Sequence, residues 1–262
     1  VAGAAVSLSN QDAGYVDQSS KVKSDAVHVK VYGQRELGEH AHVSAVVGLG
    51  VFTMETLRRS GTVAYQGTRE AFQVLGQVGY DYRMSDADAD MQWSVFADGD
   101  VSVTTLGGYT ETGGLHPLTY QEQTAVASSV KLGVSGERSW IRETSQWSPR
   151  FDLGVKTTFQ DASDLNVCYA DATHTTYTAP YASHFTHALD LGVGLRIQSG
   201  QSLWDVLAQW TKDTDGGQFQ TYALKYRRAL NSDESTTLSW SLIGQDARYS
   251  QLGTELILER RF

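Results

Sequence analysis

Seven histidines, one cysteine and a scatter of ionised groups are the residues of this 262-residue chain with chemistry to offer. A hydrolase needs a Ser or acidic nucleophile beside an oriented imidazole. None of His28, His40, His42, His116, His174, His184 and His187 stands in a Ser-His-Asp signature, and no Gly-x-Ser-x-Gly elbow occurs. His28 and His42 read instead as polar groups of a β-wall, and no catalytic residue is assigned. Cys168, Asp171, His174, His184 and His187 gather in one segment. Imidazole and thiolate suit zinc or copper, and His184-x-x-His187 could approach one ion. An aromatic surface loop explains the same residues, so no metal and no cofactor is assigned. A lone Cys168 also precludes an intrachain disulfide.

The ionised groups are more informative because they alternate with large apolar residues. Val27, Val29 and Val31 flank His28 and Lys30; Leu189, Leu191, Val193, Leu195 and Ile197 flank Asp190 and Arg196. Period two is the signature of a strand, with successive side chains on opposite faces. The pattern recurs at Val43 to Val51, Phe72 to Tyr82, Trp93 to Ala97, Val126 to Val134, Phe151 to Phe159, Trp204 to Trp210, Tyr222 to Tyr226, Leu238 to Leu242 and Leu252 to Phe262. With a smaller-residue strand near Val1 to Ser9, the prediction is twelve strands and no helix.

Turns are predicted around Gly38, Asp88, Ser145, Gly200 and Ser232, and mostly longer links near Val16, Thr62, Gly114, His174, Asp215 and Ala247. Short and long connections thus fall at opposite ends. The link from Ala162 to Thr186, roughly 25 residues, exceeds the ordinary loop of a compact domain. Pro117, Pro149 and Pro180 fall in loops or at a strand start, where a missing donor breaks no ladder.

Twelve strands enclose a lumen wider than side chains can fill, so turning the apolar faces inward would leave a void. Turned outward, those faces suit hydrocarbon, and closure leaves no edge in lipid. The polar faces then line a lumen, for which Asp81, Arg83, Asp98, Arg150, Asp152, Lys156, Asp190 and Arg196 are the candidate residues. Gly48, Gly50, Gly79, Gly133, Gly154, Gly192 and Gly194 share those faces, leaving room for a passing chain or serving only barrel curvature. Tyr80, Tyr82, Trp93, Trp204, Trp210, Tyr222, Tyr226 and Phe262 near strand ends fit interfacial girdles. The expected fold is an all-β, 12-stranded antiparallel transmembrane β-barrel of the outer membrane, one domain over residues 1–262. A soluble sandwich or barrel shares the alternation but not the reason for an even strand number. No run of about 18 apolar residues argues for a membrane helix, and a net charge of −9 without a basic stripe argues against a nucleic-acid partner.

Three stretches resemble the C-terminal translocator, or β-domain, of Gram-negative autotransporters of type V secretion. Gly108-Tyr109-Thr110-Glu111-Thr112-Gly113-Gly114, followed by Leu118 and Gln123-Thr124, resembles the family's aromatic-Thr-Glu-x-Gly loop between its fifth and sixth strands. The hairpin from Val27 through Gly38 to Arg58 is similar to an early family hairpin. Leu258-Glu259-Arg260-Arg261-Phe262 resembles the alternating last strand with an aromatic carboxyl terminus, and Leu258 and Phe262 are the implied assembly signal for the barrel-assembly machinery.

The resemblance implies a non-enzymatic, monomeric outer-membrane pore. It would carry its own N-terminal passenger to the cell surface and anchor it in outer-membrane lipid. The family pattern includes a lumenal helix and a passenger ahead of the first strand, and the 262 residues start at that strand. A scissile Asn pair, used by members that cleave the passenger inside the barrel, does not occur either. A free-standing twelve-stranded porin or a barrel enzyme is the alternative.

Overall fold

A computed structural model gives the protein's structure and describes all residues except 16–19, 86–88, 215–216, 232–234 and 247–248. Twelve long strands form the barrel: β1 (Ala2–Tyr15), β2 (Ser20–Leu37), β3 (Ala41–Ser60), β4 (Val63–Arg83), β5 (Gln92–Leu106), β8 (Gln123–Glu137), β10 (Ser145–Ala162), β13 (His184–Ser199), β14 (Ser202–Asp213), β15 (Gln218–Ala229), β16 (Thr236–Asp246) and β17 (Tyr249–Arg261). Each pairs antiparallel with the next in chain order, β10 pairs with β13, and β17 returns to β1 from Gly3 opposite Arg261 to Tyr15 opposite Tyr249. The barrel is therefore closed. Five short strands complete the chain: β6 (Tyr109–Thr110), β7 (Leu118–Tyr120), β9 (Trp140–Arg142), β11 (Leu165–Tyr169) and β12 (Ala172–Ala179).

The register decides which face is which. Val29, Val47, Leu49, Val78, Leu132, Val155 and Val193 are exposed on the outside, while Asp190, Ser129, Thr211 and Ser241 are buried on the inside. The buried apolar side chains are few, with Ala26, Ala71, Ala223 and Ala229 among them. This is the expected outcome when a sheet turns its large side chains outward and closes on its polar face. Trp93 and Phe151 meet edge to face at 5.2 Å and Trp204 packs on Tyr226 at 4.5 Å, both at the end bearing the chain termini.

Outside, Leu8, Val27, Val51 and Phe72 form one row across β1 to β4, and the next outward row is Asn10, Asp25, Thr53 and Glu70. The amide of Asn10 donates to Asp25 at 2.7 Å. The apolar band therefore ends at the first row. Strands β2 to β4 continue well beyond it, away from the termini.

Above Ala71, β4 has outrun β5, and the link 107–122 takes its free edge. Gly107 N–H donates to Glu70, and Gln66 and Thr112 exchange two backbone hydrogen bonds. The same link supplies β6 and β7, which pair with each other, and β7 pairs with the hairpin β11–β12. The barrel wall thus extends upward as β2-β3-β4, bridged through β6 to β7, β11 and β12.

Three expectations need correction. Of the links on the upper side, only 107–122 and 163–183 are long. Thr62 sits in a two-residue turn at 61–62, and the gaps around Val16, Asp215 and Ala247 are four, four and two residues. Those three positions, like Asp88 and Ser232, lie outside the described residues. Height on that side comes from overlong strands rather than from long loops. The segment predicted as one long loop from Ala162 to Thr186 contains the paired strands β11 and β12. Pro149 lies inside β10, at the break where that strand's partner changes from β9, ending at Trp147, to β8, beginning at Arg150. A missing donor is harmless at such a break.

Candidate functional site: the lumen and the strap above it

All eight predicted lumenal residues share the inward parity, but the register sorts them into separate groups. Lys131 of β8 is the centre of one. Its ammonium lies 3.3 Å from Asp152 of β10 and 3.3 Å from Asp190 of β13, and 5.5 Å from the Phe96 ring. Gly154 makes this reach feasible. It stands between Lys131 and Asp190, and a Cβ there would meet the lysine stem. Asp190, 2% exposed, also accepts from Thr211 at 2.6 Å. Asp81, Asp98, Lys131 and Asp152 line one lumenal cavity of about 390 Å³, with Gln209 on its far wall.

Asp205 of β14 is the centre of the second group. Arg150 lies across Gly194 to donate to Asp205 at 2.6 Å, while Arg196 reaches Asp205 at 3.9 Å and Glu137 at 3.6 Å. Lys156 stands opposite Lys131 and makes no ion pair among the described residues. Arg83 is at the lower end of β4, where its N–H donates to His40. Lumenal glycines thus serve a use beyond room or curvature, since side chains of neighbouring strands lie flat across them.

Lys131, Asp205 and Glu137 were not among the eight candidates, although they do the pairing. Lys131 and Glu137 carry the alternation signal, and Asp205 stands between Trp204 and Val206. That signal could have found all three.

A second cluster joins the strap 107–122 to the overhanging strands. Glu111 is 3% exposed, and its carboxylate accepts from Arg58 Nε at 2.8 Å and Nη2 at 2.6 Å, from Leu118 N–H at 3.1 Å and from Tyr120 at 3.4 Å. A bidentate guanidinium is the natural partner for a buried carboxylate. Burial, and then the Glu111 charge, push the Tyr120 phenol up to about 12. Tyr109 stacks on Tyr120 at 4.7 Å and covers Gly67, where a Cβ would overlap its ring. Arg69 donates to the carbonyls of Leu106, Gly107 and Gln121 and so ties both ends of the strap. Gly113 and Gly114 turn the chain at φ 96° and 64°, angles that side chains resist. The Tyr109 to Gly114 stretch singled out by sequence is therefore a clamp, although its partners Arg58 and Arg69 were invisible there.

The loop histidines do not assemble. His187 faces outward, its Nδ1 2.9 Å from Thr157, whereas His184, three residues earlier on the same strand, has the opposite parity and lies near Tyr181. Among the described residues no three of His, Cys, Asp or Glu come together as a metal site. Cys168 is buried in β11. His28 is opposite Gly50, eight residues along β3 from His42, so these two are not neighbours, and His28 packs edge-on against Phe52. At the carboxyl end Leu258 is outward between Val6 and Leu238, and Phe262 donates its N–H to Ala2 at 2.8 Å.

Several solved structures share this architecture. The translocator domain of autotransporter NalP from Neisseria meningitidis matches with a TM-score of 0.65 at 14% identity, over 99% of this chain and 88% of that one. The transport unit of the autotransporter AIDA-I from Escherichia coli gives 0.63 at 10% identity, over 99% and 90%. The β-domain of the Bordetella autotransporter BrkA gives 0.58 at 11%, over 100% and 99%. No curated relative matches by sequence. The family model for the autotransporter beta-domain matches residues 1–211, and the chain belongs to that family.

Proposed function

We propose that this barrel sits in the outer membrane of a Gram-negative bacterium as a monomer, passes its own N-terminal passenger through the lumen to the cell surface, and holds it there in outer-membrane lipid. The observation that carries this reading is the lumenal wall. Its charges of both signs, paired around Lys131 and Asp205, keep that wall hydrated for an unfolded chain. The position of Val1 supports it too. Its main-chain nitrogen bonds the Gln34 carbonyl at the end opposite the overhang and its strap, so a segment joined upstream starts on the periplasmic side and has the lumen as its route outward. Leu258 and Phe262 serve as the signal for the barrel-assembly machinery, and Asp81, Arg83, Asp98, Arg150, Asp152, Lys156, Asp190 and Arg196 as lumen lining. The role needs no catalytic group, metal or cofactor.

The test is a signal peptide and an unfolded reporter fused upstream of Val1. Protease added to intact cells removes the reporter if the reading is right. A reporter that stays protected while the barrel reaches the outer membrane would count against translocation and favour a free-standing channel.

A further inference from the structure

The overhang of β2 to β4 carries a groove of about 640 Å³ on its outer side, lined by Lys21, Lys23, Glu55, Gln66, Thr68 and Thr112 with their neighbours. The parity is unambiguous. Lys21 and Lys23 share the face of Val27 and Val29, Glu55 that of Val51, and Gln66 and Thr68 that of Phe72. Strap residues Thr110 and Thr112 close one side. The groove therefore faces what surrounds the barrel, not what passes through it.

Its height is set by the register. Lys23 lies four residues above Val27, the last apolar residue on the outward face of β2, and Lys21 two further. A rise of about 3.4 Å per residue on a strand tilted about 40° puts the two ammonium stems roughly 10 and 15 Å above the hydrocarbon edge. In an outer membrane this is the level of the phosphorylated sugars of the outer-leaflet glycolipid.

The chemistry of the lining fits that layer. Neither lysine makes an ion pair among the described residues, although Asp12 and Glu55 stand opposite Lys23 and Arg59 lies above. Two cations two residues apart on one strand can share a phosphate. Gln66, Thr68, Thr110 and Thr112 offer amide and hydroxyl groups to sugar hydroxyls, and Glu55 offers an acceptor.

We infer that this groove binds the phosphorylated saccharide headgroup of an outer-leaflet glycolipid, with Lys21 and Lys23 on phosphate and the threonines and Gln66 on sugar. The inference rests on the outer-membrane reading above. Seating a fixed lipid there braces the overhang and its strap from outside.

The test uses the purified full chain in detergent micelles, with native mass spectrometry against deep-rough lipopolysaccharide, its dephosphorylated form and inorganic phosphate. The expected result is a one-to-one complex with the phosphorylated glycolipid. Occupancy falls at least tenfold on dephosphorylation or in Lys21→Ala/Lys23→Ala, and is retained in Lys21→Arg/Lys23→Arg. Equal binding by the alanine double variant, or equal competition by millimolar inorganic phosphate, overturns the inference. Fractionation of cells reports separately on the premise: a chain absent from the outer membrane defeats the membrane reading, while a chain present there that binds no glycolipid defeats the groove alone.

Discussion

The phenol of Tyr32 on β2 reaches across Gly3 of β1 to donate a 2.5 Å hydrogen bond to Glu259 of β17. A Cβ at position 3 would overlap the ring. Glu259 also accepts from Arg261 at 3.1 Å and Thr237 at 3.4 Å, so one carboxylate ties β2, β16 and β17 over the strand that closes the barrel. Hydrogen bonds to charged groups contribute about 1.5–3 kcal/mol, less when partly exposed. Tyr32→Phe is expected to lower barrel stability by about 1 kcal/mol, and Gly3→Val by more, because the Arg260 carbonyl is also in the way. Urea titration followed by the shift in gel mobility of the unheated protein measures both.

Removing Arg58 leaves the Glu111 carboxylate buried without its cation, a loss that reaches about 3–5 kcal/mol for a fully buried pair and less here, since Arg58 is 32% exposed. Arg58→Met is expected to raise protease cleavage within 107–122 at least tenfold. The barrel's own unfolding midpoint should move much less. Equal loss of both would mean that the clamp and the barrel unfold as one unit.

The Tyr120 phenol ionises at about 12 in the folded protein, above its ordinary value of 10.0. The neutral form is therefore the one the clamp stabilises. Its contribution is complete below pH 10 and is lost as pH rises through about 12. Phenolate absorbance near 295 nm should show one fewer late-titrating tyrosine in Tyr120→Phe than in wild type.

Lys131→Met strips the ammonium from Asp152 and Asp190. Breaking a largely buried pair costs about 3 kcal/mol, and the lumen gains negative charge. Planar bilayers containing the variant should show a reversal potential shifted toward cation selectivity. An unchanged potential would place these carboxylates off the conducting path.

Deleting Phe262 removes a backbone hydrogen bond to Ala2 and an exposed ring 5.8 Å from the Arg260 guanidinium. The finished barrel loses little by this. Outer-membrane yield is expected to fall well before the melting temperature of the purified protein does, and equal yields for truncated and intact chains would remove the assembly role.

Much of the fold was legible because a closed barrel imposes a strict alternation. Leu189, Asp190, Leu191 and Gly192 reveal their faces without any knowledge of neighbours. The strands β6, β7, β9, β11 and β12 were not legible, since two to eight residues, held by pairing to one another or, for β9, to β10, carry no periodic face. Nor was the clamp. Arg58 and Glu111 are 53 residues apart and meet only because β3 and β4 outrun β5, a difference in strand length that hydrophobic pattern does not record. His184 and His187 failed as a pair for a reason the sequence already held: an odd spacing on a strand separates side chains.

The pairing of β1 with β17 joins residues more than two hundred positions apart, so it closes the longest loop of the twelve pairings. Before it forms, the molecule is an open ribbon with two exposed edges, and anything lying against the ribbon's polar face has come in sideways. When the edges meet, that object is enclosed. A rope can be put through a ring by passing its end, or by closing the ring around it. The seam between Gly3 and Arg261 permits the second, in which no free end and no folded head ever has to find the hole.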